Sequence, residues 1–215
     1  MAQCGMPMNI RDIIALAPVI PELELTDSAL ALPLARALCA GGLRVMEISL
    51  RTPVGLACIE SIRKGLPDAV VGAGALTRAV DFAAADRAGA QFGATPGLTP
   101  ELAAASRGAR FPVMPGVMTP TEVISARNSN FNVLKLFPAE QAGGVGILHA
   151  FGLAFPDVRF CASGGVTRTN AADYLSLANV ACVAGSWVVP HALVMQGDWP
   201  GIEALSRDAK ALARS

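Results

Sequence analysis

The chain has 215 residues, of which 53% are hydrophobic and 16% charged, so it can bury the core of a folded domain and lacks the composition of a disordered protein. Its 17 basic and 17 acidic side chains cancel and form no basic stripe, which argues against a nucleic-acid partner. No apolar run reaches membrane-spanning length and no basic segment leads into an apolar one at the N-terminus, so we expect no membrane partner and a cytoplasmic location.

Short β-branched runs alternate along the chain with segments rich in alanine and leucine, and Gly, Pro, Thr or Asp lies at the junctions. Repeated strand-then-helix units imply parallel strands joined by right-handed crossovers. Eight such units in this length predict an α/β fold, a compact (β/α)8 TIM barrel, with an open doubly wound sheet as the alternative. The predicted strands are 18–23, 43–50, 69–75, 90–94, 111–115, 131–137, 158–163 and 180–185.

We expect a single domain over residues 1–215, because no linker, low-complexity tract or change in composition divides the chain. Residues 1–9 are predicted to be a loose leader, and residues 198–214 have the pattern of an additional C-terminal helix.

The cysteines are odd in number and show no C-x-x-C spacing, which favours reduced structural thiols over a zinc site. The two histidines lie without a partnered Ser, Cys or ligand cluster, and we interpret both as structural. The residues concerned are Cys4, Cys39, Cys58, Cys161, Cys182, His149 and His191.

Lys135 is one of three lysines and lies within a β-type run, 131–138, where burying an ammonium is costly. Desolvation lowers a lysine's pKa and frees its amine to attack a carbonyl, which predicts Schiff-base chemistry. The alternative is a strand-end lysine that reaches solvent or pairs with a carboxylate. The run alone leaves both open.

A second polar group lies at the end of the predicted strand 43–50. The period of two places Glu47, Ser49 and Arg51 on one side, opposite an apolar side that can face helices. An inward carboxylate near an arginine is either a buried ion pair or an acid/base group beside an anion clamp. With Lys135 also inward, we favour the second interpretation.

Glycine-containing turns follow the last two predicted strands. Backbone N–H groups at such turns can approach an oxyanion closely, and the last two loops of a TIM barrel form its recurrent phosphate site. A tight turn without a ligand is the alternative. Small residues at two other strand ends would keep a cavity open, or would allow close backbone packing. The segments are Ser163-Gly164-Gly165, Gly185-Ser186-Trp187, Gly72-Ala73-Gly74-Ala75 and Thr95-Pro96-Gly97.

Together these motifs resemble, in order, those of the 2-keto-3-deoxy-6-phosphogluconate aldolase family. The resemblance covers almost the whole chain from about residue 18. The motifs are Glu47-Ile48-Ser49-Leu50-Arg51-Thr52, Gly72-Ala73-Gly74, Pro96-Gly97-Leu98-Thr99, Lys135-Leu136-Phe137-Pro138-Ala139-Glu140, Ser163-Gly164-Gly165 and Gly185-Ser186-Trp187.

The resemblance implies a class I aldolase, a lyase that forms a homotrimer of barrels and uses neither metal nor cofactor. Its substrate would be a phosphorylated keto acid, 2-dehydro-3-deoxy-6-phosphogluconate, cleaved reversibly to pyruvate and glyceraldehyde 3-phosphate. Many members of the family also cleave 4-hydroxy-2-oxoglutarate to pyruvate and glyoxylate. An aldolase for the galactonate epimer is one alternative, and a non-catalytic barrel that binds a phosphorylated ligand is another.

By resemblance, Lys135 forms the imine, Glu47 is the general acid/base, and Arg51 binds the keto-acid carboxylate. Gly164, Gly165 and Ser186 correspond to the phosphate-binding turns. The full set of implied substrate-binding positions is Arg51, Ala75, Pro96, Gly97, Phe137, Ser163, Gly164, Gly165, Gly185 and Ser186.

Three positions depart from the family's usual pattern. Ala75 and Ser163 stand where threonine is common, and losing the hydroxyl at Ala75 is expected to weaken pyruvate binding by about 1 kcal/mol. The change at Ser163 is expected to blur discrimination between gluconate-type and galactonate-type substrates. Glu22 stands where the family is usually apolar. It either adds negative potential near the mouth or faces solvent at a strand end, and we favour the second.

Overall fold

A computed structural model describes residues 8–212. Within this range nine strands alternate with helices, except that no helix separates the fifth strand from the sixth. The strands are β1 (Val19–Leu23), β2 (Val45–Ser49), β3 (Val70–Gly74), β4 (Phe92–Ala94), β5 (Val113–Met114), β6 (Gly116–Val117), β7 (Val133–Leu136), β8 (Arg159–Ser163) and β9 (Val180–Gly185).

The helices follow the strands, except that one precedes β1 and two follow β9. They are α1 (Ile10–Ala15), α2 (Ala31–Ala40), α3 (Gly55–Gly65), α4 (Ala79–Ala88), α5 (Pro100–Gly108), α6 (Pro120–Asn128), α7 (Gly144–Ala154), α8 (Ala171–Leu175), α9 (His191–Gln196) and α10 (Trp199–Lys210), with a short 3₁₀ helix at Ser28–Leu30 before α2.

All strand pairs are parallel and the sheet order is β5-β4-β3-β2-β1-β9-β8-β7-β6. The two ends of this order, β5 and β6, are separated in sequence only by Pro115, so the sheet curls into a nearly closed barrel. The predicted (β/α)8 barrel is confirmed, and the open doubly wound sheet is not observed.

The predicted fifth strand, 111–115, contains only the short strand β5, and a second short strand, β6, begins just beyond the predicted end. Proline has no N–H to donate to a ladder, so the strand is interrupted at Pro115. Val113–Met114 pairs with β4 and Gly116–Val117 pairs with β7. The Pro115 carbonyl accepts a hydrogen bond from the Lys135 N–H at 2.8 Å, which fixes the backbone of the lysine.

The two predicted end segments lie only partly within the described residues. The predicted C-terminal helix corresponds to α10, Trp199–Lys210, and residues 213 and 214 lie outside the described residues. The predicted leader, 1–9, also lies outside them except for residues 8 and 9, and Asn9 caps α1 by accepting a hydrogen bond from the Asp12 N–H.

A mostly apolar core surrounds the strands, and the few buried charged residues within it stand out. Glu47 and Lys135 are each 5% exposed, and Ser163 is fully buried. In the strand registers, Glu22 is paired with Glu47, and Lys135 is paired with Gly116 on one side and Cys161 on the other. The barrel therefore carries a charged cluster in its interior.

Candidate active site

A cavity of about 630 Å³ opens at the carboxyl ends of the strands, where TIM barrels place their active sites. Seven of the residues selected from sequence line it. Among the described residues, the other five selected positions are not part of the lining. The lining positions are Glu47, Arg51, Ala75, Pro96, Lys135, Phe137 and Ser186, and the others are Gly97, Ser163, Gly164, Gly165 and Gly185.

Lys135 lies at the inner end of this cavity with its side chain only 6% exposed. Its Nζ donates to Glu22 Oε1 at 2.7 Å and to Glu47 Oε1 and Oε2 at 2.8 and 3.0 Å. An ammonium has three N–H donors, and each of them has a carboxylate oxygen to bind. The buried amine is therefore held as an ion-paired cation.

The charge state of Lys135 differs from the sequence-based expectation. Burial alone would lower the pKa of the lysine, but the attraction of Glu47 and then of Glu22 outweighs it and raises the pKa above its usual value. The expected low-pKa amine is therefore wrong for the free site. An amine in this state can act as a nucleophile only after a neighbouring group accepts its proton.

The pKa values of the two carboxylates are shifted in opposite directions. Burial raises the pKa of Glu47, and Glu22 adds to this, against the attraction of Lys135 and Arg51. Burial also opposes ionisation of Glu22, but Lys135, together with a hydrogen bond from Ser163, lowers its pKa overall. Two neighbouring carboxyl groups with separated pKa values are an arrangement suited to divided acid/base roles.

Glu22 is the main residue of the cluster that is not among the site residues predicted from the sequence. Our preferred interpretation of a solvated strand end is wrong, because the register of β1 against β2 directs Glu22 toward Lys135. Its side chain is 29% exposed and lines the cavity. The available signal was its place inside an otherwise apolar strand, where an unpaired carboxylate is unusual.

Ser163 reaches the cluster through Glu22. Its Oγ donates to Glu22 Oε1 at 2.7 Å, so this one oxygen accepts hydrogen bonds from both Ser163 and Lys135. Ser163 itself is fully buried at the end of β8. It supports the charged cluster from behind the cavity wall.

Arg51 lies at the mouth of the cavity and not beside Glu47 in the interior. Its side chain is 66% exposed and its guanidinium forms an ion pair with Glu24. Its Nε donates to Ser49 Oγ at 3.2 Å. Glu24 is not among the residues predicted from the sequence. An incoming carboxylate would compete with Glu24 for the guanidinium.

The glycines of the predicted phosphate turns have packing reasons of their own. Gly164 and Gly165 have φ values of +90° and +81°, a region that favours glycine. A Cβ at Gly164 would lie 2.9 Å from the Pro138 Cα, and one at Gly185 would overlap the Trp187 ring. Of these two turns only Ser186 lines the cavity, so the phosphate role stays a prediction.

Two further selected positions, Gly97 and Ala75, differ in their surroundings. A Cβ on Gly97 would meet no atom within 4 Å, so this position is unobstructed. Ala75 lines the cavity with a left-handed φ of 57°, which side chains larger than alanine adopt at a cost.

The cavity is also lined by polar residues outside the predicted set. Asp81 caps α4, accepting hydrogen bonds from the Arg78 N–H at 2.9 Å and the Arg78 guanidinium at 2.8 Å. His191, interpreted above as structural, lines the cavity as well. Arg78 precedes α4, Asp81 lies in the first turn of that helix and His191 begins α9. No local pattern in the sequence places these residues together.

Within residues 8–212, no three or more His, Cys, Asp or Glu side chains are grouped so that they could hold a metal ion. In the same range, no helix is both long and apolar enough to cross a membrane. Cys39, Cys58, Cys161 and Cys182 are free thiols, and Cys4 lies outside the described residues.

Comparison with known proteins gives consistent matches. The family model for KDPG and KHG aldolases matches residues 10–205. A 2-dehydro-3-deoxy-phosphogluconate aldolase of Pseudomonas aeruginosa is 45% identical over 90% of this chain and 88% of its own length.

Two solved structures are similar over nearly their whole length. One is the Legionella pneumophila KDPG aldolase with pyruvate captured at low pH as a covalent carbinolamine intermediate. It is 39% identical with a TM-score of 0.91, over 93% of this chain and 97% of that chain. The other is the Zymomonas mobilis enzyme with 3-phosphoglycerate, which is 40% identical with a TM-score of 0.91, over 98% of this chain and 99% of that chain.

Proposed function

This chain belongs to the KDPG and KHG aldolase family, and we propose that it reversibly cleaves 2-dehydro-3-deoxy-6-phosphogluconate to pyruvate and glyceraldehyde 3-phosphate as a class I aldolase. The observation that carries the proposal is the contact between Lys135 Nζ and Glu47. A buried amine lies 2.8 Å from a buried carboxylate whose pKa is raised, so a proton acceptor is in place next to the nucleophile.

Imine formation begins with a proton transfer. Lys135 gives one proton to the Glu47 carboxylate and becomes a neutral amine, which attacks the ketone carbon of the substrate. As the C–N bond forms, the carbonyl π electrons move to oxygen, which takes the proton back from Glu47. Loss of water from this carbinolamine leaves the protonated imine.

Cleavage uses the same carboxylate in the opposite direction. Glu47 removes the proton of the C4 hydroxyl, the C3–C4 bond breaks, and its electrons flow into the protonated imine, which becomes an enamine. The aldehyde leaves as glyceraldehyde 3-phosphate. Glu47 then returns a proton to C3, and water releases pyruvate from Lys135. Each proton taken by Glu47 is returned within the cycle.

Arg51 is proposed to position the keto-acid carboxylate. Its guanidinium pairs with Glu24 in the free site, and both side chains are at least half exposed. Such exposed pairs contribute only about 0 to 1 kcal/mol, so a substrate carboxylate can displace Glu24 at small cost. A planar guanidinium can then hold the carboxylate through two hydrogen bonds.

The phosphate end of the substrate is proposed to lie toward Ser186, which lines the cavity after β9. The turns at Gly164, Gly165 and Gly185 are the remaining candidates for this contact. Cleavage of 4-hydroxy-2-oxoglutarate is a second candidate activity, since the family model covers both substrates. The homotrimer, the single-domain organisation and the cytoplasmic location also stay predictions.

The proposal is tested by trapping the imine. The protein is incubated with pyruvate and borohydride, and the modified peptide is identified by mass spectrometry. We expect one pyruvyl adduct, on Lys135, absent from Lys135→Met and unchanged in Lys64→Met, which removes an exposed lysine. Folded protein that gives no adduct would favour the non-catalytic binding barrel.

A coupled assay then separates the substrates. Pyruvate release is followed with lactate dehydrogenase and NADH for the gluconate compound, its galactonate epimer and 4-hydroxy-2-oxoglutarate. We expect the highest kcat/KM for the gluconate compound. A higher value for either of the other two would replace the proposed substrate while keeping the imine chemistry.

A further inference from the structure

We propose that Glu22 is a further catalytic residue, which holds the Lys135 amine through Oε1 and becomes the counter-ion of the protonated imine once water is lost. The inference rests on the aldolase reaction proposed above. Its geometric basis is the 2.7 Å contact between Glu22 Oε1 and Lys135 Nζ, the atom that becomes the imine nitrogen.

The position of Glu22 Oε1 is fixed from two sides. Ser163 Oγ on β8 and Lys135 Nζ on β7 both donate to it at 2.7 Å. Glu22 itself comes from β1, so three separate strands define the contact. An acceptor held in this way is already oriented before substrate arrives, which is what electrostatic catalysis requires.

The other ionisable groups around the cluster are few. Glu47 on β2 faces both Lys135 and Glu22, and Arg51 after β2 acts on both carboxylates from the mouth. Cys161 on β8 lies close enough to influence Lys135, and Cys182 on β9 contacts Cys161. The hydrogen bond with Cys182, followed by burial, raises the pKa of Cys161, so it stays a neutral thiol and supplies no counter-charge.

Counting N–H bonds shows why a second carboxylate has a role. The free ammonium uses three N–H bonds, two to Glu47 and one to Glu22. One proton goes to Glu47 and a second is lost with the water that leaves the carbinolamine, so the protonated imine keeps a single N–H. Glu47 must leave its contact with Nζ to carry protons to the substrate, whereas Glu22 Oε1 can stay in place and accept that remaining N–H.

The opposite pKa shifts of Glu22 and Glu47 support this division of roles between the two carboxylates. Burial opposes the ionisation of Glu22, but Lys135 lowers its pKa, so Glu22 stays ionised while the nitrogen beside it is positively charged, in the free site and in the protonated imine. Glu47, whose pKa is raised by burial, takes up and releases protons. A fixed anion beside the nitrogen keeps the imine protonated, and only the protonated imine is an effective electron sink. Glu22 also contributes to the raised pKa of Glu47.

The first test measures the free amine without any substrate. Lys135 is labelled with acetic anhydride over a range of pH and quantified by peptide mass spectrometry, with Lys64 as the internal standard. An opposite charge at this distance shifts a pKa by about 1 to 3 units. In Glu22→Gln, Lys135 should therefore be acetylated at least about tenfold faster than in wild type at a pH where most of the amine is protonated. A pKa lower by one unit gives about ten times as much free amine there.

Two variants control for packing. Glu203→Gln makes the same chemical change at a partly exposed carboxylate on α10 and should leave Lys135 labelling unchanged. Glu22→Asp shortens the side chain but keeps the charge, and should stay much closer to wild type than Glu22→Gln. If Asp and Gln had equal effects, the shape of Glu22 and not its charge would matter, and the proposal would be overturned.

The second test measures the imine itself. Cyanoborohydride reduces protonated imines selectively, so trapping with pyruvate as a function of pH reports the imine proton. In Glu22→Gln the whole profile should move to lower pH by about one unit or more, because both the amine and the imine lose a counter-ion. A superimposable profile, or one reduced by the same factor at every pH, would overturn the proposal.

The two tests also separate this proposal from the aldolase reaction. A Lys135 adduct in wild type with unshifted labelling and trapping in Glu22→Gln would overturn the role of Glu22 alone. Faster labelling in Glu22→Gln, combined with no pyruvate adduct in either protein, would overturn the imine role and the aldolase reaction together.

Discussion

Glu22 and Glu47 lie opposite each other in the register of β1 and β2, and their carboxylates accept hydrogen bonds from the same lysine nitrogen at 2.7 and 2.8 Å. Two neighbouring carboxylates in a buried site repel each other unless a cation lies between them. Lys135 is that cation. The nucleophile of the proposed reaction therefore also holds the interior of the barrel together.

Lys135→Met should destabilise the protein as well as abolish imine formation. Removing one partner of a buried ion pair costs about 3 to 5 kcal/mol, because the remaining charges lose their compensation. Urea unfolding at pH 7.5 should show a loss of this size. Lys64→Met, which removes an exposed lysine paired with Glu60, should change the unfolding free energy by less than about 0.5 kcal/mol.

The pH dependence of this loss has a defined sign. In wild type the pKa of Lys135 is higher in the folded than in the unfolded protein. The ammonium therefore stabilises the fold fully at a pH below its unfolded-state pKa, and this contribution is lost as the pH rises through its folded-state pKa. The pKa of Glu22 is lower in the folded than in the unfolded protein, so its carboxylate stabilises the fold at a pH above its unfolded-state pKa. That contribution is lost as the pH falls through its folded-state pKa. Without the cation both carboxylates favour protonation, so the stability lost in Lys135→Met should be partly recovered when the pH is lowered from 7.5 to 5. Equal losses of unfolding free energy at the two pH values would contradict the charge argument.

The double variant Lys135→Met/Glu47→Gln removes one of the two uncompensated carboxylates. It should therefore recover part of the lost unfolding free energy at pH 7.5.

Gly74→Ala should impair catalysis by displacing Glu47. A Cβ at Gly74 would overlap the Glu47 Oε1 that contacts Lys135. A misplacement of about 1 Å in a catalytic group can cost about 100-fold, so we expect a fall in kcat of that order. Steady-state kinetics of the gluconate compound measures it.

A matched glycine on a helix provides the control. A Cβ at Gly146 within α7 would meet no atom within 4 Å. Gly146→Ala should keep kcat and raise the unfolding free energy by about 0.5 to 1 kcal/mol, because alanine is favoured in helices. If both variants lost kcat equally, steric displacement of Glu47 would not be the cause.

Ala75→Thr should trade stability for pyruvate binding. The resemblance to the aldolase family places a threonine at this position, and its hydroxyl would enter the cavity that Ala75 lines. One added hydrogen bond should tighten pyruvate binding by about 1 kcal/mol. The left-handed φ of 57° is unfavourable for a β-branched side chain, so the unfolding free energy should fall by about 1 kcal/mol.

Ala75→Gly separates the two effects. Glycine adopts the left-handed region freely and adds no hydroxyl, so this variant should gain stability without tighter pyruvate binding. Pyruvate affinity from imine trapping and urea unfolding on the same three proteins give both quantities. Weaker pyruvate binding in Ala75→Thr would show that the hydroxyl does not reach the keto acid.

Much of the fold could be predicted because its signals are local. A strand of β-branched residues and a helix of alanine and leucine differ in their period within a few residues, and the last predicted strand coincides with β9, Val180–Gly185. The interruption at Pro115 could not be predicted from local sequence, because proline is also compatible with a strand end. Only the pairing of β5 and β6 with different neighbours shows the break. Lys135 and Glu47 were predictable for a related reason, since a charge inside an apolar run is conspicuous in the sequence itself.

The sequence by itself determined the parallel barrel, the buried lysine and the carboxylate of β2, because these depend on periodicity and composition within single segments. Only the tertiary structure decided that Glu22, 113 residues from Lys135, joins the cluster and that the lysine is held as a cation. Strand register and burial set those contacts, and both arise from pairing between segments that are distant in the chain. A pKa depends on the balance between desolvation and neighbouring charge, and that balance exists only once the barrel has closed.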